Sequence, residues 1–128
     1  MDIRNVGKGY PRTIYLTGIP GGASAESKPP GGKAWLLLGG IIRHITGTTS
    51  TLKVYDDKIE WATQDGAIFS RIIDTAIANG SYPIFPLAAE AGSTAEQWHP
   101  IFIHNGKIIL TTGDNNITAV ISVLEFDS

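Results

Sequence analysis

Three histidines are the first candidates for chemistry, because a neutral imidazole serves as general base or metal ligand near neutral pH. They are His44, His99 and His104. The second and third differ by an odd number of positions, so on one extended strand they project to opposite faces and do not chelate one ion together. A metal centre, or a small cupin-like enzyme built around one, would need His44 to join one of them. The simpler expectation is three surface or interface rings. The carboxylates come next. Asp56-Asp57 and Asp114-Asn115-Asn116 carry the oxygen ligands that calcium uses, yet turn geometry accounts for both clusters without an ion. Gly32-Lys33 is followed by Ala34, where a phosphate cradle needs a hydroxyl, and no Gly-x-Ser-x-Gly elbow occurs around Ser24 or Ser27. Asn79-Gly80-Ser81 and Asn116-Ile117-Thr118 match the glycosylation acceptor pattern and read equally well as turn residues. The expectation is no catalytic residue, no metal and no cofactor. What remains is aromatic. Trp35, Trp61, Trp98, Tyr10, Tyr15, Tyr55 and Tyr82 would pack in a core or an interface, or stack on a sugar ring.

The elements that position these residues read as strands. The chain has 128 residues, 42% of them apolar and 17% charged, a size and balance that suit one globular domain. A formal net charge of -2 gives no reason to expect nucleic acid. With no cysteine, disulfides, thiolate zinc sites and cysteine nucleophiles are excluded together. No apolar run approaches the roughly 18 residues of a spanning helix, and the first residues lack a signal-peptide core, so the expectation is a soluble protein made in a cytoplasm. Gly and Pro are abundant and Ile, Thr and Val outweigh the long helix formers, which favours strands and turns.

Residues 1–9 are polar and aperiodic and read as an N-terminal arm; 10–128 then form one domain. Tyr10–Leu16 predicts a first strand. Residues 18–32, rich in Pro and Gly, read as a flexible excursion or an ordered arm lying on another surface. Lys33–Ile45 predicts a long, central strand bent at Gly39-Gly40. Ser50–Asp56 alternates with period two, placing Leu52 and Val54 on one face and Lys53 and Tyr55 on the other. Residues 67–80 fit both a strand and a helix, and the strand reading is preferred. Two prolines put 81–87 at a sheet edge or in a connection. Trp98–His104 and Lys107–Thr112 flank Asn105-Gly106, a strong hairpin signal, and Ile117–Phe126 closes the chain. Seven or eight short strands at this spacing predict an all-β, single-domain β-sandwich, jelly-roll-like, with an extended N-terminal arm and a long Pro/Gly loop.

Two strands are apolar on both sides: Trp35, Leu37 and Ile41 against Leu36, Leu38 and Ile42, and Ile121 and Val123 against Val120 and Leu124. A lone two-layer sandwich keeps one face of most strands polar, so the surplus calls for a cover, and neighbouring subunits would supply it. The candidate interface residues are Tyr10, Tyr15, Pro29, Pro30, Trp35, Leu37, Trp61, Trp98 and Phe102.

The order KAWLLLGGII (33–42), LKVYD (52–56), IFSRII (68–73), PIFIHNGKIIL (100–110) and VISVLEF (120–126) resembles small β-sandwich virion proteins of tailed phages, of the head decoration or cement type. The resemblance rests on pattern across 33–126 and carries no catalytic residues. It implies a homotrimer seated on the lattice of the major capsid protein, with arms or loops reaching neighbouring capsomers, and hence a place in the virion. The runner-up expectation is a receptor- or glycan-binding module of a tail or fibre tip. The loop over 18–32 and the helical spacing near 72–78 fall outside the resemblance.

Overall fold

The computed structural model describes residues 9–19, 24–44, 50–56, 67–73, 80–85, 93–94, 98, 100–112 and 117–127. Among them are ten strands: β1 (Tyr10–Ile19), β2 (Ser24–Ser27), β3 (Lys33–His44), β4 (Ser50–Tyr55), β5 (Ala67–Ile73), β6 (Gly80–Pro83), β7 (Ser93–Thr94), β8 (Phe102–Ile103), β9 (Lys107–Thr112) and β10 (Ile117–Asp127). The protein is an all-β sandwich of two antiparallel sheets. The first runs β1-β10-β3-β6 with β8 also on β3, and the second runs β2-β9-β4-β5-β7.

The two sheets repeat one pairing scheme. Three partnerships in the first sheet have counterparts in the second: β1 on β10 with β2 on β9, β10 on β3 with β9 on β4, β3 on β6 with β4 on β5. Chain segments therefore travel as pairs that cross from sheet to sheet, which is the double Greek key of a jelly roll.

Strict alternation builds the core. Along β4 and β5 every second residue is buried, and β10 follows the same rule over most of its length. Leu37, Ile42, Leu52, Val54, Ile84, Ile103, Ile108, Leu110, Ile117, Ile121 and Val123 are wholly enclosed between the sheets. Each such aliphatic side chain stabilises the fold by about 1.5–3 kcal/mol relative to exposure. Arg71 is also fully buried on this inner side, its Nε donating to the Pro83 carbonyl at 2.9 Å and its guanidinium 5.8 Å from the Tyr82 ring centre.

Several expectations change. Residues 67–73 form a strand, in line with the preferred reading; the helical turn considered for 76–80 lies outside the described residues, apart from Gly80, which opens β6. The 18–32 segment is not simply a loop, because residues 24–27 form β2, hydrogen-bonded along β9 as the edge of the second sheet. Pro29 beyond it is buried. The expected Asn105-Gly106 hairpin is absent. β8 belongs to the first sheet and β9 to the second, so this dipeptide turns the corner between layers. Among the described glycines, positive φ is found at Gly32, Gly39 and Gly40 and not at Gly106, whereas a two-residue type I′ hairpin would need it there. Gly106 serves close approach instead: a Cβ would collide with the Tyr55 carbonyl and the Asp56 backbone. The arm at 1–8 lies outside the described residues; Gly9 packs against the Phe126 ring and Leu124.

Candidate functional site

Among the described residues no chemical centre assembles around His104. His99 and the side chain of His44 lie outside the described residues, and His104 sits half-buried at the inter-sheet corner beside Asn105, Gly106 and the Lys28–Lys33 turn. Among the described residues no group of three or more His, Cys, Asp or Glu side chains could hold a metal ion. Asp56 is buried at the end of β4, while Asp57 and 113–116 are outside the described residues.

The buried carboxylate with the clearest structural use is Glu125. It accepts from Trp35 Nε1 at 3.0 Å and from Arg12 at 2.9 and 3.1 Å, so β1, β10 and β3 are tied together where the chain emerges from its first residues. Burial by itself would raise the Glu125 pKa. The hydrogen bonds from Trp35 and Arg12, with the charges of Arg12 and Lys33, outweigh it and hold the carboxyl below its ordinary value of 4.5. Lys33 and Asp127 form a second, exposed pair one step along the same strands.

The candidate site is a surface. Residues directly opposite in an antiparallel pair share a face, and the register aligns Tyr15 with Val120, Val120 with Ile41 and Ile41 with Pro83. This outward row crosses the whole first sheet. Tyr15 is 65% exposed and Ile41 53%. A second row on the same side, Pro11, Leu124, Leu36 and Phe102, runs parallel to it, with Pro11 exposed, Leu124 and Phe102 half-buried and Leu36 buried. Between them lie Thr13, Ser122 and Gly39, with Leu38 beside Gly39.

A bulge brings this surface about. Ser122 pairs with Gly39 but Val123 pairs with Leu37, so Leu38 is the extra residue. One inserted residue reverses which side chains face inward. Trp35 and Leu37 point into the core before it, Ile42 does so after it, and Leu38 and Ile41 are left outside. Both bulge glycines take φ +154, and a Cβ on Gly40 would strike the Val120 carbonyl and Ile84. Trp98, half exposed, hangs at the bulge with Nε1 donating to the Leu37 carbonyl at 3.2 Å.

The sequence-derived interface set therefore divides. Tyr10, Tyr15, Pro30 and Trp98 are exposed and Phe102 half-buried. Trp35 and Leu37 are core residues, 2% and 0% exposed, and Pro29 is buried, so none of the three offers a surface. Trp61 lies outside the described residues. Leu38, Ile41, Val120 and Pro83 were missed, although reading Gly39-Gly40 as a parity reversal, and not only as a bend, would have found Leu38 and Ile41.

The matching outward surface of the second sheet is polar. Its rows are Ser24, Thr111, Thr51, Ile72 and Glu26, Ile109, Lys53, Ser70. A shallow depression of about 340 Å³ lies there, lined by Ser24, Thr51, Lys53, Tyr55, Ile109 and Thr111. Comparison with family models, with curated proteins and with solved structures gives no match.

Proposed function

We propose that the protein is a structural virion subunit of the decoration or cement type, binding the head shell of a tailed phage as a homotrimer and acting without catalysis. The observation that carries the reading is the apolar outer face of the first sheet. Tyr15, Leu38, Ile41 and Trp98 are each between 39% and 65% exposed, whereas most large apolar side chains among the described residues are buried or half-buried. Contiguous apolar surface of this kind marks an interface.

Magnitudes set the mode of binding. Allowing for partial exposure, each of these side chains gains about 1 kcal/mol on being covered, so two facing surfaces gain roughly 8 kcal/mol. Association costs about 4–15 kcal/mol in lost freedom. One such contact is marginal, and several made at once on a repeating lattice are strong. The jelly-roll topology, and Gly9 beside Leu124 and Phe126 at the first sheet, fit a subunit that grips neighbours. Mixed with undecorated phage heads, the protein should co-sediment with them, and Ile41→Asp should not. A compact monomer that leaves the heads unoccupied overturns the proposal.

A further inference from the structure

We infer that Asn105-Gly106 is a self-modifying site, at which the Gly106 nitrogen closes on the Asn105 side chain and expels ammonia with the assistance of Lys28. It lies at the corner between the two sheets, and it does not depend on the reading of the apolar face.

Ring closure asks three things of the chain: an asparagine in water, a peptide unit not held in a ladder, and a following nitrogen that no side chain crowds. Asn105 is exposed and lies in a bend between β8, which ends at Ile103, and β9, which begins at Lys107. Among the described residues, the backbone hydrogen bonds of turns and loops join Lys33 to Pro30, Leu37 to Ile101 and Ile84 to Gly40, and none of them holds the peptide between Asn105 and Gly106. Glycine meets the third condition, and the fold requires it there, because a Cβ at 106 would collide with the Tyr55 carbonyl. The packing that demands glycine thus keeps the nucleophile uncrowded.

The attacking species is the deprotonated amide, so a nearby cation speeds the step. Lys28, Lys33 and Asn105 line one depression of about 250 Å³. Lys33 is matched by Asp127, which leaves the assisting charge to Lys28, exposed just beyond β2. The bond from Gly106 N to Asn105 Cγ forms as the Cγ–Nδ2 bond breaks, and the proton lost from Gly106 ends on the departing ammonia. Water then opens the cyclic imide. Addition at Cγ gives aspartate, and addition at the backbone carbonyl gives isoaspartate, whose main chain is longer by one methylene. Nothing is oxidised. Either product adds one negative charge to a chain whose formal net charge is -2, and isoaspartate also lengthens the backbone where Gly106 is seated against Tyr55.

The test ages the folded chain at mildly alkaline pH and follows its peptides by mass spectrometry, with enzymatic methylation of isoaspartate as a second readout. Cutting at glutamate separates residue 105 from Asn79-Gly80, the other such dipeptide in the sequence, and fragmentation places the change. Residue 105 should gain one mass unit and its peptide should accept a methyl group. Asn105→Gln, which would have to close a larger ring, should do neither at that position. Lys28→Gln should slow the conversion about threefold through loss of one nearby charge, with thermal unfolding unchanged. A residue 105 that stays intact in the folded chain while the urea-unfolded chain converts, or a rate unmoved by Lys28→Gln, overturns the inference.

Discussion

Across the first sheet the outward row Tyr15, Val120, Ile41, Pro83 is apolar from edge to edge, whereas the second sheet sets Ser24, Thr111, Thr51 and Ile72 across its own outward side. Both surfaces come from strands that alternate with period two, and both back onto the same core. The second sheet obeys the usual economy of a two-layer sandwich, polar out and apolar in. The first breaks it. Threonine and lysine suit a solvated pleat, whereas Ile41 at 53% exposure and Tyr15 at 65% leave apolar surface in water. Under the proposed function, the difference gives the two sheets different environments in the working assembly: one face covered, the other in water.

Breaking the bulge should have the largest effect. Gly40→Ala puts a methyl into the Val120 carbonyl at a φ that L residues rarely adopt. It should cost about 3 kcal/mol, read by chemical unfolding, because neither backbone can yield without losing the β3–β10 pairing. Ile41→Asp keeps the fold and attacks the apolar face. Covering a carboxylate without a partner is penalised by about 2–3 kcal/mol, so self-association should weaken roughly 50-fold by sedimentation. Ile109→Asp, the equivalent change on the polar face, should leave association untouched.

Acid should act through Glu125. Its folded pKa is depressed, so its stabilising contribution is present above its unfolded value near 4.5 and fades as pH falls through the lower folded value. Stability should therefore drop as pH is taken below about 4.5. Glu125→Gln should start about 1.5 kcal/mol less stable at neutral pH and lose less on acidification, as followed by thermal unfolding across pH. The smallest effect belongs to Thr111→Val, at an exposed position on the polar face, whose stability should change by no more than about 0.5 kcal/mol by chemical unfolding.

Where one strand face meets one solvent, the fold was legible from residue pattern alone. Leu52 and Val54 against Lys53 and Tyr55 placed β4 with its correct inner face, and the run from Ile117 placed β10. Local signals failed where tertiary pairing decides the outcome. Ser24–Ser27 is bracketed by Gly and Pro and has no apolar period, and it is a strand only because β9 offers it an edge. Asn105-Gly106 is the best hairpin dipeptide in the chain, yet the jelly-roll winding sends its flanks to different sheets, and its glycine is there to admit the Tyr55 carbonyl. The surface was half legible. Apolar character on both sides of β3 flagged an interface, but the Leu38 bulge exchanged its members, sending Trp35 and Leu37 inward and Ile41 out.

Sedimentation of the unmodified chain beside Ile41→Asp, over a range of concentrations, tests the covered-face claim most directly. The account predicts that the 13.7 kDa chain runs as an oligomer, a trimer in the proposed assembly, and that Ile41→Asp runs as a folded monomer. A monomeric unmodified protein, or an oligomer that Ile41→Asp leaves intact, would contradict it.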